Sequence, residues 1–437
     1  MGNPLVETAK SLRGNPRACV FTEPLWGLSI ALCLPYSSVY MLALGLRDVQ
    51  LGFITTVGML SQVVFGLLGG IITDKMGRRK TTAVFDVTAW SLPCLIWFAA
   101  SLVDSRWAFW LFLGASVING TLKVTQNSWD CLMVEDAERS QITRIYSLVV
   151  VAGQMSAIFA PIAAVLVAQY SLVPAVRILF VNAFVVMTGK IIWLYLWSHE
   201  TQMGLSRMEQ TKGVSLPRLM AGYGQVARII VGSRGTIFAL IVSILFGAAT
   251  TINATFWQVV VSGRFLVPTP FLPIFAMARS IIAMVFMFTV VPRLTRTTNL
   301  KMALLAGFAA YAVGQTLIAC APVPEGRTTV GIYAVVGTSL LFDGFGVGVL
   351  AMLAESLVAL HVDPQERSRV MAVQHMLIML AISPFGWIGG VLSGMSRNFP
   401  FILTVAILLL GIVATLVHYR RGDPLRTGAD EADVTIP

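Results

Sequence analysis

Twelve apolar runs, each about as long as a bilayer is thick, divide this chain and leave it few ways to fold. They lie at 25–46, 51–73, 81–103, 107–134, 145–169, 174–197, 236–262, 268–291, 302–322, 329–358, 370–394 and 399–419. A helix rises about 1.5 Å per residue, so crossing about 30 Å of hydrocarbon takes roughly 20 mostly apolar residues. With 56% hydrophobic and 12% charged residues, the 437-residue chain holds more apolar surface than a soluble core buries. Lipid offers no hydrogen bonds, so each crossing must satisfy its own backbone. The spacing predicts an all-α membrane protein with twelve transmembrane helices.

One long polar break, 198–235, separates six runs from six. It predicts an N-terminal six-helix half (1–197), a cytoplasmic linker (198–235), and a C-terminal six-helix half with a short tail (236–437). Leu216, Leu219, Met220, Tyr223, Val226, Ile229 and Ile230 mark an apolar face in the linker, beside Arg218 and Arg228, and predict an amphipathic helix on the inner membrane surface. The first 24 residues hold Lys10, Arg13 and Arg17 but no apolar core ahead of the run from Leu25, so a cleaved signal peptide is not expected.

Lys and Arg fall 22 to 6 in favour of the side that holds the termini, with Lys123, Lys190 and Arg279 inside runs. The positive-inside rule therefore predicts cytoplasmic termini in a plasma (inner) membrane. The net charge of +10 is this asymmetry, and nucleic acid is not an expected partner. Cys19, Cys33, Cys94, Cys131 and Cys320 have neither metal nor disulfide spacing, and no cofactor or metal is expected.

Residues 69–80, GGIITDKMGRRK, form a short charged turn between the second and third runs. Gly70 permits close helix approach, Gly77 a tight turn, and Lys75, Arg78, Arg79 and Lys80 anchor the cytoplasmic interface. Asp74 is an acid on the positive side and needs a partner. The halves also repeat weakly. A shift of 220 lays Leu132–Glu135 over Met352–Glu355, and a shift of 223 lays Arg144 and Pro161 over Arg367 and Pro384. Parallel repeats of this kind put a binding site at the midplane between two pseudo-symmetric six-helix bundles.

Gly70-xxx-Asp74-Lys75-x-Gly77-Arg78-Arg79 resembles the loop motif of the major facilitator superfamily, and the twelve-helix plan resembles that family over nearly the whole chain. The resemblance implies a secondary transporter, working as a monomer on a small-molecule substrate. It also implies that Asp74 and its basic neighbours help latch the two halves on the cytoplasmic side, and the repeat adds Glu135, Arg144, Glu355 and Arg367, at matching inner positions, to this candidate gate. A purely topological anchor is the alternative. At the corresponding loop of the second half, Pro292-Arg293-Leu294-Thr295-Arg296 lacks the acid. Where drug/proton antiporters of the family have an Arg four residues before a Gly, this chain has Ser116 before Gly120. Their Gly-Pro-x-x-Gly-Gly run reads Ala160-Pro161-Ile162-Ala163-Ala164 here.

The fourth run has a polar stripe. Ser116, Asn119, Lys123, Gln126, Asn127 and Asp130 recur at spacings of three and four, which predicts one helix face lining a transport path or a polar network between helices. Lys123 lies 12 residues, about 18 Å, from Glu135, and the 220 shift puts it on Asp343. These opposite charges at matching depths suggest a pair across a central cavity, with H+ or substrate competing at Asp343. A permanent local pair for either charge is the alternative.

Other positions are more open. Arg279 suits an anion or a structural pair, and His375 a titrating group or a packing histidine. Asp86 and Lys190 lie near helix ends, where they snorkel or pair. Tyr36 and Tyr40 beside a kink at Pro35, and Asn253, Trp257 and Gln258, suit either a substrate wall or aromatic packing.

Together these features predict a secondary active transporter moving a small charged, zwitterionic or amphipathic organic solute by alternating access, coupled to protons. Export of amphipathic compounds is an alternative, as is a non-transporting receptor or assembly factor. The sequence has no Walker, HExxH or GxSxG motif, so an enzyme is not expected.

Overall fold

The computed structural model describes residues 11–138, 141–213, 234–289, 300–360 and 367–420. The regular structure among them is helical. The chain begins with α1 (Gly14–Ala43), α2 (Asp48–Met76), α3 (Arg78–Ala100) and α4 (Ser105–Val134). It continues through α5 (Ile142–Met155), α6 (Ala160–Tyr170), α7 (Leu172–Trp197) and α8 (Gln202–Gln210). Then come α9 (Arg234–Gly263), α10 (Leu272–Thr289), α11 (Leu300–Cys320) and α12 (Val330–Leu360). The last helices are α13 (Arg367–Ile382), α14 (Pro384–Met395) and α15 (Phe399–Arg420).

Among the described residues, 11 helical stretches are long and apolar enough to cross a membrane, with Val373–Met395 of α13 and α14 counted as one. The predicted run 145–169 is the exception. It forms two shorter helices, α5 and α6, joined by a 3-10 turn at Ser156–Phe159. Pro161 explains the break, because it supplies no N–H to the preceding turn and its ring crowds a carbonyl there. Pro384 acts alike, starting α14 just after α13 ends. These are the two prolines that the 223-residue shift superimposes.

Three further irregularities bear on the site. α1 bends through a 3-10 turn at Leu34–Tyr36, where Pro35 predicts a kink. α3 widens into a π-helical turn at Val87–Ser91. α4 is interrupted at Gly120 and Thr121, so its polar residues do not lie along one straight helix.

The described residues cluster into two compact units. The first takes in those of 1–221, 258–277 and 386–394, and the second those of 222–257, 278–385 and 395–437. In the first unit α1 packs on α5 and α7, and α4 on α2 and α3. Residues 386–394 of α14 belong here too: Trp387 donates its backbone N–H to Thr56 Oγ1 at 2.8 Å, and Ser393 Oγ bonds Asp48 Oδ1 at 2.9 Å. In the second unit α11 lies between α12 and α15, with Phe308, Tyr311 and Gln315 buried.

Large apolar side chains also cover the outside, among them Ile158, Leu196, Leu410 and Val413. Exposed Trp107 and Trp110 near the start of α4, and Trp193 and Trp197 at the end of α7, sit where an interfacial aromatic belt belongs. Such a surface is unfavourable in water and suited to lipid.

Candidate functional site

The turn between α2 and α3 is organised around a buried arginine. Gly77 has φ +84°, a backbone region that side chains rarely adopt, and lets the chain reverse there. Arg78, only 4% exposed, then turns back on α2 and α4. Its Nη1 is 2.9 Å from Asp74 Oδ1, its Nη2 is 3.0 Å from Glu135 Oε1, and its Nε donates to both Glu135 oxygens at 3.1 Å. Asp74 thus has the partner that the sequence demands.

Two residues that the sequence reading passed over complete this cluster. Glu200 accepts the backbone N–H of Arg78 at 2.8 Å and of Arg79 at 3.1 Å, placing an anion on the first turn of α3. Thr201 caps α8 and donates Oγ1 to Glu135 Oε2 at 2.5 Å. Arg79 reaches the Tyr195 carbonyl at 2.7 Å, with its guanidinium 4.0 Å from that ring. The signal for Glu200 was an acid directly after the sixth run. Gly69, not Gly70, is buried against the α4 backbone, and Gly70 is half-buried facing Asn127. Lys75 borders a shallow groove with Met208 and Glu209, and Arg144 is exposed on α5.

The polar stripe of α4 divides by destination. Ser116 Oγ bonds the Ile54 carbonyl of α2 at 3.1 Å, and Asn119 Nδ2 bonds the Ala89 carbonyl of α3 at 2.7 Å. Both act as interhelical ties. Beyond the break, Lys123 Nζ bonds Gln126 Oε1 at 3.0 Å, and Asn127 faces Gly69 and Gly70. Gln126 and Asp130 line a cavity that also meets Asp86 and Lys190. The last two are paired at 2.6 Å and almost fully buried.

In the second unit, four of the predicted residues converge. Arg279 Nη1 is 2.9 Å from Asn253 Oδ1, and its guanidinium is 5.9 Å from the Trp257 ring. Asp343, 1% exposed, accepts from Gln315 Nε2 on both carboxylate oxygens at 2.9 Å and lies within electrostatic reach of Arg279. Asp343 therefore has partners inside its own unit.

The Major Facilitator Superfamily profile matches residues 25–342. The chain belongs to that superfamily. Its membership makes the protein a multi-pass membrane transporter rather than an enzyme. A sequence comparison with curated proteins finds no match.

Solved structures of other superfamily-like transporters share the fold. One, a point variant of the nucleoside transporter NupG, is 16% identical with a TM-score of 0.71, over 93% of this chain and 100% of that one. A bacterial homologue of the iron transporter ferroportin, in its inward-facing state, is 12% identical with a TM-score of 0.70, over 92% and 98%. A POT family transporter in complex with 5-aminolevulinic acid is 12% identical with a TM-score of 0.67, over 94% and 98%. At such identities the likeness extends to the fold alone.

Some predicted site residues of this superfamily member lie elsewhere. Tyr40 is fully buried in an aromatic core with Phe112 and Phe180, and its Oη reaches the Trp97 carbonyl at 3.4 Å. Tyr36 is buried beside the Pro35 turn, and His375 is exposed on α13. Glu355 and Arg367 sit on α12 and α13, but their side chains fall outside the described residues, as do the amphipathic stretch at 216–230 and the basic loop at 292–296.

Proposed function

We propose that this protein is a secondary active transporter for a small charged, zwitterionic or amphipathic organic solute, working by alternating access and coupled to protons. Twelve crossings in two six-helix halves follow if α5 and α6 together make the fifth, with both termini cytoplasmic in a plasma membrane. The observation that supports this most is Asp343 buried against Gln315 and within electrostatic reach of Arg279, which itself bonds Asn253 and lies over Trp257. Charges at this depth are costly unless they work or pair. A proton or a cationic group of the solute competes with Arg279 for the carboxylate, and Lys123 offers Asp343 a second partner at another stage of the cycle. Competition of this kind biases a two-state equilibrium.

The Arg78 cluster with Asp74, Glu135 and Glu200 is assigned to the cytoplasmic gate. Export of an amphipathic compound is a second reading, favoured by the aromatic wall near Asp130. A ligand-stabilisation screen followed by vesicle flux at two pH values tests the proposal. Solute movement that responds to the proton gradient supports it, the sign separating import from export. Flux indifferent to that gradient removes proton coupling, and no flux for any stabilising ligand favours a receptor.

A further inference from the structure

Glu23, Asp86, Asp130 and Lys190 surround a cavity of about 250 Å3 within the first unit. Three carboxylates face one ammonium. Lys190 is committed to Asp86 at 2.6 Å. Among the described residues neither Glu23 nor Asp130 makes an ion pair within 4.0 Å. Lys123, about two turns earlier on α4, offsets part of the Asp130 charge but is not part of the cavity wall.

Much of the remaining wall is aromatic. Trp26 of α1 and Trp90 of α3 meet edge to face with centroids 5.9 Å apart, and Trp129 of α4 joins them. Trp90 lies in the π-helical turn Val87–Ser91, a distortion that occurs mostly at functional sites. Two polar atoms on this wall have no hydrogen-bond partner among the described residues: Thr125 Oγ1, on a residue 7% exposed, and Trp129 Nε1. Buried polar atoms are normally satisfied, so an open hydroxyl beside an excess of acid marks room for a ligand.

We propose that this cavity binds a small organic cation, an amine or a quaternary ammonium, held by Glu23 and Asp130 against the faces of Trp26, Trp90 and Trp129. Indole faces attract weakly hydrated cations, and most strongly when desolvated. An anion meets three like charges here. A hard metal ion gains nothing from indole, since it needs a full set of oxygen ligands. A neutral solute leaves Glu23 and Asp130 uncompensated in a membrane interior. That the cation is also carried across the membrane rests on the transporter reading above; that it binds does not.

The full-length protein, purified in detergent, is titrated with choline and with its neutral isostere 3,3-dimethylbutan-1-ol, following tryptophan fluorescence and melting temperature. The expected result is saturable quenching and stabilisation by choline, with the isostere at least about tenfold weaker. Glu23→Gln is expected to weaken choline by a similar factor. Equal binding of the two compounds, unchanged choline affinity in Glu23→Gln, or no choline binding by folded wild type overturns the proposal. Should Glu23→Gln not fold, Trp90→Leu is the second arm, and wild-type affinity there is equally contrary. Choline binding without vesicle flux upholds the site and counts against the transporter reading. Proton-coupled flux of another solute without choline binding does the reverse.

Discussion

Gln315 presents its side-chain amide to both carboxylate oxygens of Asp343, with Nε2 2.9 Å from each. The pair joins α11 to α12 in the interior of the second unit, where Gln315 is fully buried. The two hydrogen bonds fix both carboxylate oxygens in one position between the helices. Gln315→Leu removes that support without adding bulk, and takes the amide donor away from both oxygens of a buried carboxylate. It is expected to lower stability by about 1–3 kcal/mol. Thermal unfolding in detergent measures this.

Gly314 is the space that Asp343 occupies: a Cβ built there runs into Asp343 Oδ1 and the Ser339 carbonyl. Gly314→Ala is expected to displace the carboxylate and reduce flux by about tenfold or more, with membrane insertion retained. Transport assays on variant and wild type at matched vesicle content check it. Unaltered flux removes the positional requirement on Asp343.

Arg78 is the most heavily committed cation in the α2–α3 turn, bonded to Asp74 and Glu135 at once. Arg78→Ala leaves Glu135 without its cation and is expected to cost about 3–5 kcal/mol. Arg78→Lys keeps the charge but loses the forked geometry, and should fall between. The melting temperatures of the three proteins give the order directly.

Glu200 supplies the anion at the start of α3. Glu200→Ala is expected to destabilise by about 1 kcal/mol, as the loss of a helix cap does, and Glu200→Gln by less. A cost in Glu200→Gln equal to that in Glu200→Ala would assign the effect to charge alone.

Asp86 and Lys190 invite a double-mutant cycle. Lys190→Met leaves a buried carboxylate unpaired, at an expected cost of about 3–5 kcal/mol, whereas Asp86→Leu with Lys190→Met removes both charges and should recover most of it. Unfolding of the single and double variants reads the coupling.

Much of the fold was legible because bilayer thickness imposes a length on every crossing, and that length shows in the apolar runs. The run 145–169 was less so. Hydropathy is blind to the break before Pro161, and only the repeat with Pro384 hinted at it. Asp74, Gly77 and Arg78 stood out because a charged turn between apolar runs is conspicuous. Glu200 did not, because its partner amides lie more than 120 residues away in sequence. The stripe on α4 reads as one face by spacing alone, which takes the helix as straight, whereas Gly120 with Thr121 interrupts it and Ser116 and Asn119 bond different helices. Asn253, Trp257, Arg279 and Asp343 were found one by one from polarity at depth; that they meet is a fact of packing. Glu23 went unnoticed beside Pro24, although it lines a cavity with Asp86, Asp130, Lys190 and three tryptophans.

The central claim is that Asp343 couples solute movement to protons. Its most direct test is flux into proteoliposomes of a solute found by ligand screening, comparing wild type with Asp343→Asn under an imposed pH gradient and in solute exchange at equal pH. The account predicts that Asp343→Asn retains exchange but loses gradient-driven accumulation. Accumulation in Asp343→Asn equal to that of wild type would contradict it.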